Sequence, residues 1–329
     1  MTIWLWVGFI AGVVGLLALD LGVLNRKAHV ISTGEALKWT AFWVVLALLF
    51  SIAVFYLYEY HSLGIGSGAR EHLDGRSAAL RYLLGYIIEE SLSLDNMFVI
   101  ALVLAYFRVP AQYQHRVLFW GIMGALVMRG MMILAGTALI RRFDWIIYVF
   151  GGLLLLSAVK MLFTSETKVD PDKNPLVRLA RRLYPVSVEF DGQRFFTRLD
   201  GRRAVTPMLL VLLVVESSDV IFAVDSIPAI FAVTTDPFIV FTSNVFAILG
   251  LRSLFFVLAG MMRKFEYLKF SLVFVLAYIG VKMLVSHFLE IPAWISLVVV
   301  CGALAAGMLA SVVMARRQPG DSEPPPPGK

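Results

Sequence analysis

Long apolar segments are the feature that most restricts how this chain can fold. A helix needs roughly 20 apolar residues to cross the hydrocarbon core of a bilayer. Nine segments approach or exceed that length, at about residues 3–24, 40–58, 80–106, 117–139, 144–163, 205–233, 238–262, 266–288 and 291–314. Hydrophobic residues make up 59% and charged residues 16% of the chain, which excludes a soluble globular domain, a disordered chain and a coiled coil. The sequence therefore predicts an all-α, polytopic bundle of about nine transmembrane helices.

The distribution of Lys and Arg predicts the orientation of these nine spans. With the N-terminus outside and the C-terminus in the cytoplasm, the cytoplasmic segments hold 20 basic residues and the outer segments hold 5, as the positive-inside rule requires. We expect a multi-pass protein of the inner (plasma) membrane whose first span is not a cleavable signal peptide. Residues 1–315 form the predicted membrane domain, and the Pro-rich tail over 316–329 is expected to be disordered.

The loop over about 164–204 is cytoplasmic in this topology and carries nine basic residues. Two Asp-Gly pairs, Asp191-Gly192 and Asp200-Gly201, flank Gln193–Leu199 and predict a small β-hairpin there. The positive-inside rule is enough to account for the basic residues. Binding of anionic lipid or a regulatory role is the alternative.

An internal repeat is visible between the segments over about 80–163 and 205–288. Val159–Leu162 is identical to Val281–Leu284, 122 residues later, and Arg129 and Arg252 both lie within apolar spans at nearly the same offset. Spans 3–5 are therefore predicted to repeat as spans 6–8. A unit of three spans is odd, so the second copy runs through the membrane in the opposite direction. Inverted repeats are typical of transporters, which bind their substrate between the repeats.

Acidic residues inside apolar spans are the strongest functional signal. Seven are predicted there: Asp20, Glu89, Glu90, Asp95, Glu216, Asp219 and Asp225. Each central charge costs about 2.5–3.5 kcal/mol on insertion. Only four basic residues share the spans, namely Arg129, Lys160, Arg252 and Lys282. A surplus of carboxylates of this kind requires a cation or protons from elsewhere.

Spacing places several of these acids on shared helix faces. A seven-residue step brings Glu89 above Asn96, and likewise Asp219 above Ser226, while Glu216 shares a face with Asp219. Asp95 and Asp225 point about a third of a turn away, unless the helix unwinds near Pro228, which lacks a backbone donor. The donors are oxygen atoms, which suit Mn²⁺, Ca²⁺ or Mg²⁺.

Other interpretations of single residues remain open. Glu90 is the weakest ligand candidate, since it can instead pair with Arg129 or lie toward the interface. Arg129 and Arg252 are predicted to be structural counter-charges. Asp20, near the inner end of span 1, can serve as a helix cap. The single cysteine, Cys301, excludes an internal disulfide and a cysteine metal cluster.

At the acidic motifs the sequence resembles the TerC/Alx family of integral membrane proteins. The resemblance is carried by EESLSLDNMFV at Glu89–Val99 and VVESSDVIFAVDSIPAI at Val214–Ile230, with support from Leu17–Val23, Arg129 and Ala247–Phe256. It implies export of Mn²⁺ from the cytoplasm, supply of metal to exported proteins and a link to tellurium resistance. By motif it also implies an ion site formed by Asp20, Glu89, Asp95, Glu216, Asp219 and Asp225. Asn96, which shares a helix face with Glu89, is the remaining predicted metal ligand.

Three function classes compete at this point. The leading hypothesis is a divalent-cation transporter, with proton exchange as one mode and without a tightly bound cofactor or a nucleic-acid partner. An intramembrane aspartyl protease would use Asp95 and Asp219 as a dyad. The third class is an accessory protein that delivers metal or acts in tellurium resistance, with unidentified membrane partners. The acids in excess of a dyad disfavour the enzyme, so we expect none.

Overall fold

The structure is a computed structural model that describes residues 3–19, 32–60, 73–163, 171–199, 201–259, 268–289 and 291–317. It is an all-α bundle with one two-stranded sheet. The described helices are α1 (Ile3–Leu19), α2 (Thr33–Glu59), α3 (Gly75–Tyr106), α4 (Ala111–Arg142), α5 (Ile146–Phe163), α6 (Pro175–Leu183), α7 (Pro207–Phe231), α8 (Pro237–Ala259), α9 (Leu268–Val285) and α10 (Ala293–Arg317). The predicted all-α membrane bundle is thereby confirmed.

Six helices within the described ranges are long and apolar enough to cross a membrane. They cover Gly34–Glu59, Ala111–Arg142, Ile146–Phe163, Pro207–Phe231, Pro237–Leu258 and Ala293–Ser311. A shorter apolar helix covers Trp4–Leu17. Helix α3 carries the acidic motif and is not among the six. The predicted count of nine spans therefore exceeds the number that length and composition support directly.

Several helices begin or end outside the predicted spans. Helices α3 and α4 have 32 residues each, so at 1.5 Å per residue each is about 48 Å long and exceeds the hydrocarbon thickness. Helix α2 begins at Thr33 rather than near residue 40, because Ser32 caps it by accepting a hydrogen bond from the Glu35 amide. The predicted disordered tail beyond residue 317 lies outside the described residues.

The segment between α5 and α7 contains a short helix that the sequence analysis missed, α6, and a hairpin. Strand β1 (Phe196–Leu199) pairs antiparallel with β2 (Arg202–Val205), with Phe196 opposite Val205. Gly201 has a φ of +77°, as the tight turn between the strands requires. Gly201 of the second predicted Asp-Gly pair thus lies between the two strands, and the predicted small β-hairpin is present.

Two hydrophobic clusters divide the bundle along its length. The first includes Ile88 of α3, Ile133 of α4 and Ile227 of α7. The second, around Val103 of α3 and Val211 of α7, also takes in residues of α4, α6 and β2. Glu89–Asn96 of α3, Arg129 of α4 and Glu216–Asp219 of α7 lie between the buried residues of these two clusters in sequence. A polar layer is therefore enclosed between two apolar ones.

Helices α5 and α9 approach each other through glycines. A Cβ added at Gly151 would lie 3.1 Å from the Gly280 carbonyl oxygen, and one at Gly280 would lie 3.0 Å from the Gly151 oxygen. Close approach through small residues is a common way for membrane helices to associate. The two backbones meet here without a side chain between them.

Gly151→Val is expected to destabilise the protein by about 1–3 kcal/mol, because backbone atoms cannot move aside as a flexible side chain can. The matched control is Gly152→Val, since a Cβ at Gly152 has no neighbour within 4 Å. Thermal unfolding of both variants in detergent measures the difference. Equal melting temperatures would contradict the close packing of α5 on α9.

Candidate functional site

A buried arginine of α4 contacts carboxylates of two other helices in the polar layer. Arg129 of α4 is only 2% exposed. Its Nη1 contacts Glu89 Oε1 of α3, while its Nη2 and Nε donate to Asp219 Oδ1 and Oδ2 of α7 at 2.9 and 3.2 Å. Both oxygens of the Asp219 carboxylate thus accept from the guanidinium, which is the bidentate geometry that Arg favours with carboxylates. One cation therefore links carboxylates from α3 and α7.

Amides and hydroxyls complete this group, here named the Arg129 cluster. Asn96 Nδ2 donates to Asp219 Oδ1 at 2.9 Å, and Asn244 Nδ2 of α8 donates to Glu89 Oε2 at 3.0 Å. Ser226 Oγ accepts from Arg129 Nη1 at 3.3 Å. These contacts offset part of the desolvation that buried charges suffer. The cluster comprises Glu89, Asn96, Arg129, Asp219, Ser226 and Asn244.

The Arg129 cluster also contains amide oxygens that accept no hydrogen bond from the described part of the chain. Asn96 Oδ1 and Asn244 Oδ1 are buried and have no hydrogen-bond partner among the described residues. Unpaired buried amide oxygens are costly, and oxygen atoms of this kind are typical ligands of hard cations. The cluster therefore offers neutral oxygen donors beside its two carboxylates.

Glu90 does not contact Arg129, so the pairing predicted as one alternative for this residue is not observed. Its neighbour Glu89 makes that contact, because consecutive helix residues point about 100° apart. Glu90 instead lies on the side of α3 that faces α2 and α8, where a Cβ at Gly250 would be 3.8 Å from Glu90 Oε1 and 3.6 Å from Trp43 Cβ. Glu90 Oε2 has no hydrogen-bond partner in the described part of the chain.

Glu216 lies against the backbone of α4. A Cβ added at Gly124 would overlap the Glu216 carboxylate, so a glycine is required where this side chain rests. Glu216 is three residues before Asp219 on α7 and shares its helix face. A third carboxylate is therefore held near the Arg129 cluster by the absence of a side chain on α4.

A small cavity borders the Arg129 cluster. It runs between α3, α4, α7 and α8 and is lined by Asn96, Asp219 and Arg252 together with apolar residues, among them Met97, Ile100, Leu118, Ile122, Leu251 and Phe255. Val215 of α7 and Gly121 of α4 also line it. These positions belong to the half of the bundle in which α6 and the hairpin pack. Arg252 is 6% exposed and lines the same cavity as Asp219.

The structure divides the predicted ion ligands between several places. Asp225 accepts a hydrogen bond from Ser157 Oγ of α5 at 2.5 Å. Asp225 is therefore associated with α5, and neither Asp225 nor Asp95 forms a hydrogen bond or ion pair with Arg129 among the described residues, which places neither of them in the Arg129 cluster. Asp20 lies outside the described residues.

The predicted unwinding of α7 near Asp225 is wrong. Helix α7 runs without interruption from Pro207 to Phe231, with Pro228 inside it. The Ala232 amide still donates to the Pro228 carbonyl at 3.1 Å. Because Pro228 lies close to the helix end, its missing donor removes a single bond and the last turn persists.

No group of three or more His, Cys, Asp or Glu side chains suited to a metal ion occurs among the described residues. The carboxylates of the cluster are accompanied by Asn and Ser instead. The protease alternative also loses support, since both oxygens of Asp219 accept from Arg129 and one also accepts from Asn96. Asp219 has a cation and an amide as partners rather than Asp95.

Asn244 and Gly124 were not predicted from the sequence to belong to the site. An amide within an apolar span is a signal of the same kind as an acid, so counting Asn as well as Asp and Glu would have found Asn244. Gly124 carries no such signal, because its role depends on which helix faces Glu216. That information comes only from the tertiary packing of α4 on α7.

Known proteins with similar sequences are integral membrane proteins. A family model, the integral membrane protein TerC family, matches residues 74–319. An uncharacterized membrane protein of Myxococcus xanthus is 50% identical over 315 residues, which cover 96% of this chain and 94% of that one. Alx of Escherichia coli (strain K12), described as a candidate membrane-bound redox modulator, is 48% identical over 91% of both chains. A Rickettsia bellii membrane protein is 39% identical over 94% of this chain and 97% of its own. No solved structure matches the chain.

Proposed function

Since this chain belongs to the TerC family of integral membrane proteins, we propose that it transports a divalent cation, with export of Mn²⁺ from the cytoplasm as its activity. The observation that carries the proposal is the Arg129 cluster. Carboxylates from α3 and α7 meet in a buried layer beside a small cavity. Buried ionisable residues in membrane proteins commonly mark ion pathways.

The proposed topology has nine spans, formed by α1–α5 and α7–α10, with the N-terminus outside in an inner-membrane protein. The count of basic residues on each side supports this orientation. The cavity and α6 then lie on the cytoplasmic side of the Arg129 cluster. An exporter is expected to receive its cation from that side.

The proposed inverted repeat relates α3–α5 to α7–α9. Its support is a set of reciprocal contacts: α3 packs on α8 as α4 packs on α7, and α5 packs on α9. Arg129 and Arg252, the equivalent arginines, are both buried beside Asp219. A site between repeats is the arrangement common to many secondary transporters.

The donor set fits a hard divalent cation as cargo. Glu89, Asp219 and the Asn96 carbonyl oxygen belong to the cluster, and Glu216 lies close by on α7. Arg129 forms ion pairs with both carboxylates of the cluster. A cation that binds Asp219 therefore competes with the Arg129 guanidinium. Such competition keeps binding weak enough for release. Asp95 and Asp225 remain candidates for other steps of the ion path.

Asp219→Asn is expected to lower Mn²⁺ uptake into inside-out membrane vesicles roughly 10- to 100-fold, since interactions with charged groups contribute about 1.5–3 kcal/mol. Asp95→Asn and Asp225→Asn should lower it less, because neither residue contacts Arg129. Asp191→Asn, outside the membrane helices, is the control. Ca²⁺ and Mg²⁺ as competitors, with and without a pH gradient, test selectivity and proton exchange.

A folded parent protein without Mn²⁺ flux would contradict transport. It would favour a non-transporting accessory role in metal delivery or tellurium resistance. Gel filtration of every variant in detergent establishes that the bundle is intact. Equal loss of flux in Asp219→Asn and Asp191→Asn would show that the Arg129 cluster is not the transport site.

A further inference from the structure

The short helix α6 has three distinct faces. Val177 is fully buried and, with Ala180, packs against the bundle. A second face carries three exposed leucines, Leu176, Leu179 and Leu183, with exposed fractions of 39%, 52% and 64%. The third face carries arginines, described below. A helix that packs only against protein needs the buried face of Val177 but not an exposed face of leucines.

The leucine face is unusual for a surface in contact with water alone. At 100° per residue, positions 176, 179 and 183 fall within about 60° of one another. They form one apolar stripe that no described residue covers. A stripe of this kind is characteristic of helices that lie in the interface of a membrane.

The arginine face lies roughly opposite the leucines. Arg178, Arg181 and Arg182 project there and are at least partly exposed. Arg181 forms an exposed ion pair with Asp172 at 2.8 Å, and Arg178 donates to the Lys173 carbonyl oxygen at 3.0 Å. The helix still presents a net positive surface, which attracts anionic headgroups.

The N-cap of α6 is attached to the ion site. Asn174 Oδ1 accepts from the Leu176 and Val177 amides and so begins the helix. The same side chain donates from Nδ2 to Ser217 Oγ of α7. Ser217 lies directly after Glu216 and two residues before Asp219. A displacement of α6 therefore acts, through this hydrogen bond, on the part of α7 that carries Glu216 and Asp219.

We propose that α6 is an interfacial helix that binds anionic phospholipid of the cytoplasmic leaflet and thereby regulates the ion site through Asn174 and Ser217. The leucines enter the acyl-chain boundary, the arginines contact phosphate groups, and Val177 holds the helix on the bundle. The regulatory half rests on the proposed transport function. The lipid-binding half does not.

Lipid binding is measured on the purified full chain in detergent. Addition of phosphatidylglycerol is expected to raise the melting temperature of the parent more than phosphatidylcholine does. The variant Arg178→Gln/Arg181→Gln/Arg182→Gln should require about 100-fold more phosphatidylglycerol for the same rise. The matched control, Arg198→Gln/Arg202→Gln/Arg203→Gln, removes the same charge from exposed hairpin positions and should respond as the parent does.

A second variant tests the leucine face. Leu179→Gln/Leu183→Gln keeps every arginine and should also weaken the response to phosphatidylglycerol. Soluble glycerol phosphate is the probe for a free phosphate ligand and should give no rise in melting temperature. Equal responses of the α6 and hairpin arginine variants, or a full response to glycerol phosphate, would overturn the lipid-binding proposal.

Regulation is measured as Mn²⁺ flux in proteoliposomes with and without phosphatidylglycerol. The parent should transport faster or slower when the anionic lipid is present. Ser217→Ala should lose that dependence while it keeps the rise in melting temperature. Lipid-dependent flux in Ser217→Ala equal to that of the parent would overturn the regulatory link. Absence of flux in all lipids would overturn the proposed function and leave the result of the melting experiment intact.

Discussion

Arg129→Met is expected to destabilise the protein by about 3–5 kcal/mol, because it leaves Glu89 and Asp219 buried without their cation. Both carboxylates are nearly inaccessible to solvent, so water cannot replace the guanidinium. Chemical unfolding of the purified protein in detergent measures the change. Arg142→Met, at an exposed position of the same helix, is the control and should have little effect.

Removal of the opposing charges provides the stricter test. Arg129→Met combined with Glu89→Gln and Asp219→Asn should regain about half or more of the lost stability, since a neutral buried group avoids the cost of an unpaired ion. A triple variant as unstable as Arg129→Met would mean that Arg129 acts through packing rather than charge. Unchanged stability of Arg129→Met itself would contradict the ion pairs.

Gly124→Ala is expected to lower Mn²⁺ flux about tenfold, which corresponds to about 1.4 kcal/mol, with a smaller effect on stability. The new methyl group would occupy the position of the Glu216 carboxylate. That carboxylate ends a side chain that can rotate, so the fold can adapt while the ion site changes. Uptake into inside-out vesicles and a melting curve in detergent separate the two effects.

A compensating change identifies the cause. Glu216→Asp shortens the side chain by one methylene and makes room, so Gly124→Ala/Glu216→Asp should transport better than Gly124→Ala alone. Gly152→Ala, where the added atom meets nothing within 4 Å, should transport like the parent. Equal flux in Gly124→Ala and Gly152→Ala would show that Glu216 has no part in ion movement.

Local periodicity was enough to predict the core of the candidate site. A seven-residue step places Glu89 with Asn96, and Asp219 with Ser226, on common faces, and all four belong to the Arg129 cluster. Arg129 was also predicted to be a counter-charge. These relations lie within single helices or follow from charge balance, so the sequence contains them.

Contacts between different helices could not be predicted from the periodicity of the sequence. Asp225 contacts Ser157 because α5 passes beside α7, and nothing in either segment alone specifies that neighbour. The continuity of α7 through Pro228 is a similar case. Ile227, Ala229 and Ile230 are buried in the first hydrophobic cluster, and this tertiary packing outweighs the loss of one backbone bond.

Charge around the Arg129 cluster is unbalanced, and a membrane potential acts on that imbalance. With Glu89, Asp219 and Glu216 ionised, three carboxylates accompany two guanidinium groups, Arg129 and Arg252, which leaves one negative charge. One divalent cation changes this to one positive charge, so the loaded and the empty site carry opposite charges. Moving each uncompensated charge through the full field involves about 2.3 kcal/mol per 100 mV. A membrane potential would therefore act on the loaded and the empty step in opposite directions, whereas a return with one proton bound would be electrically silent.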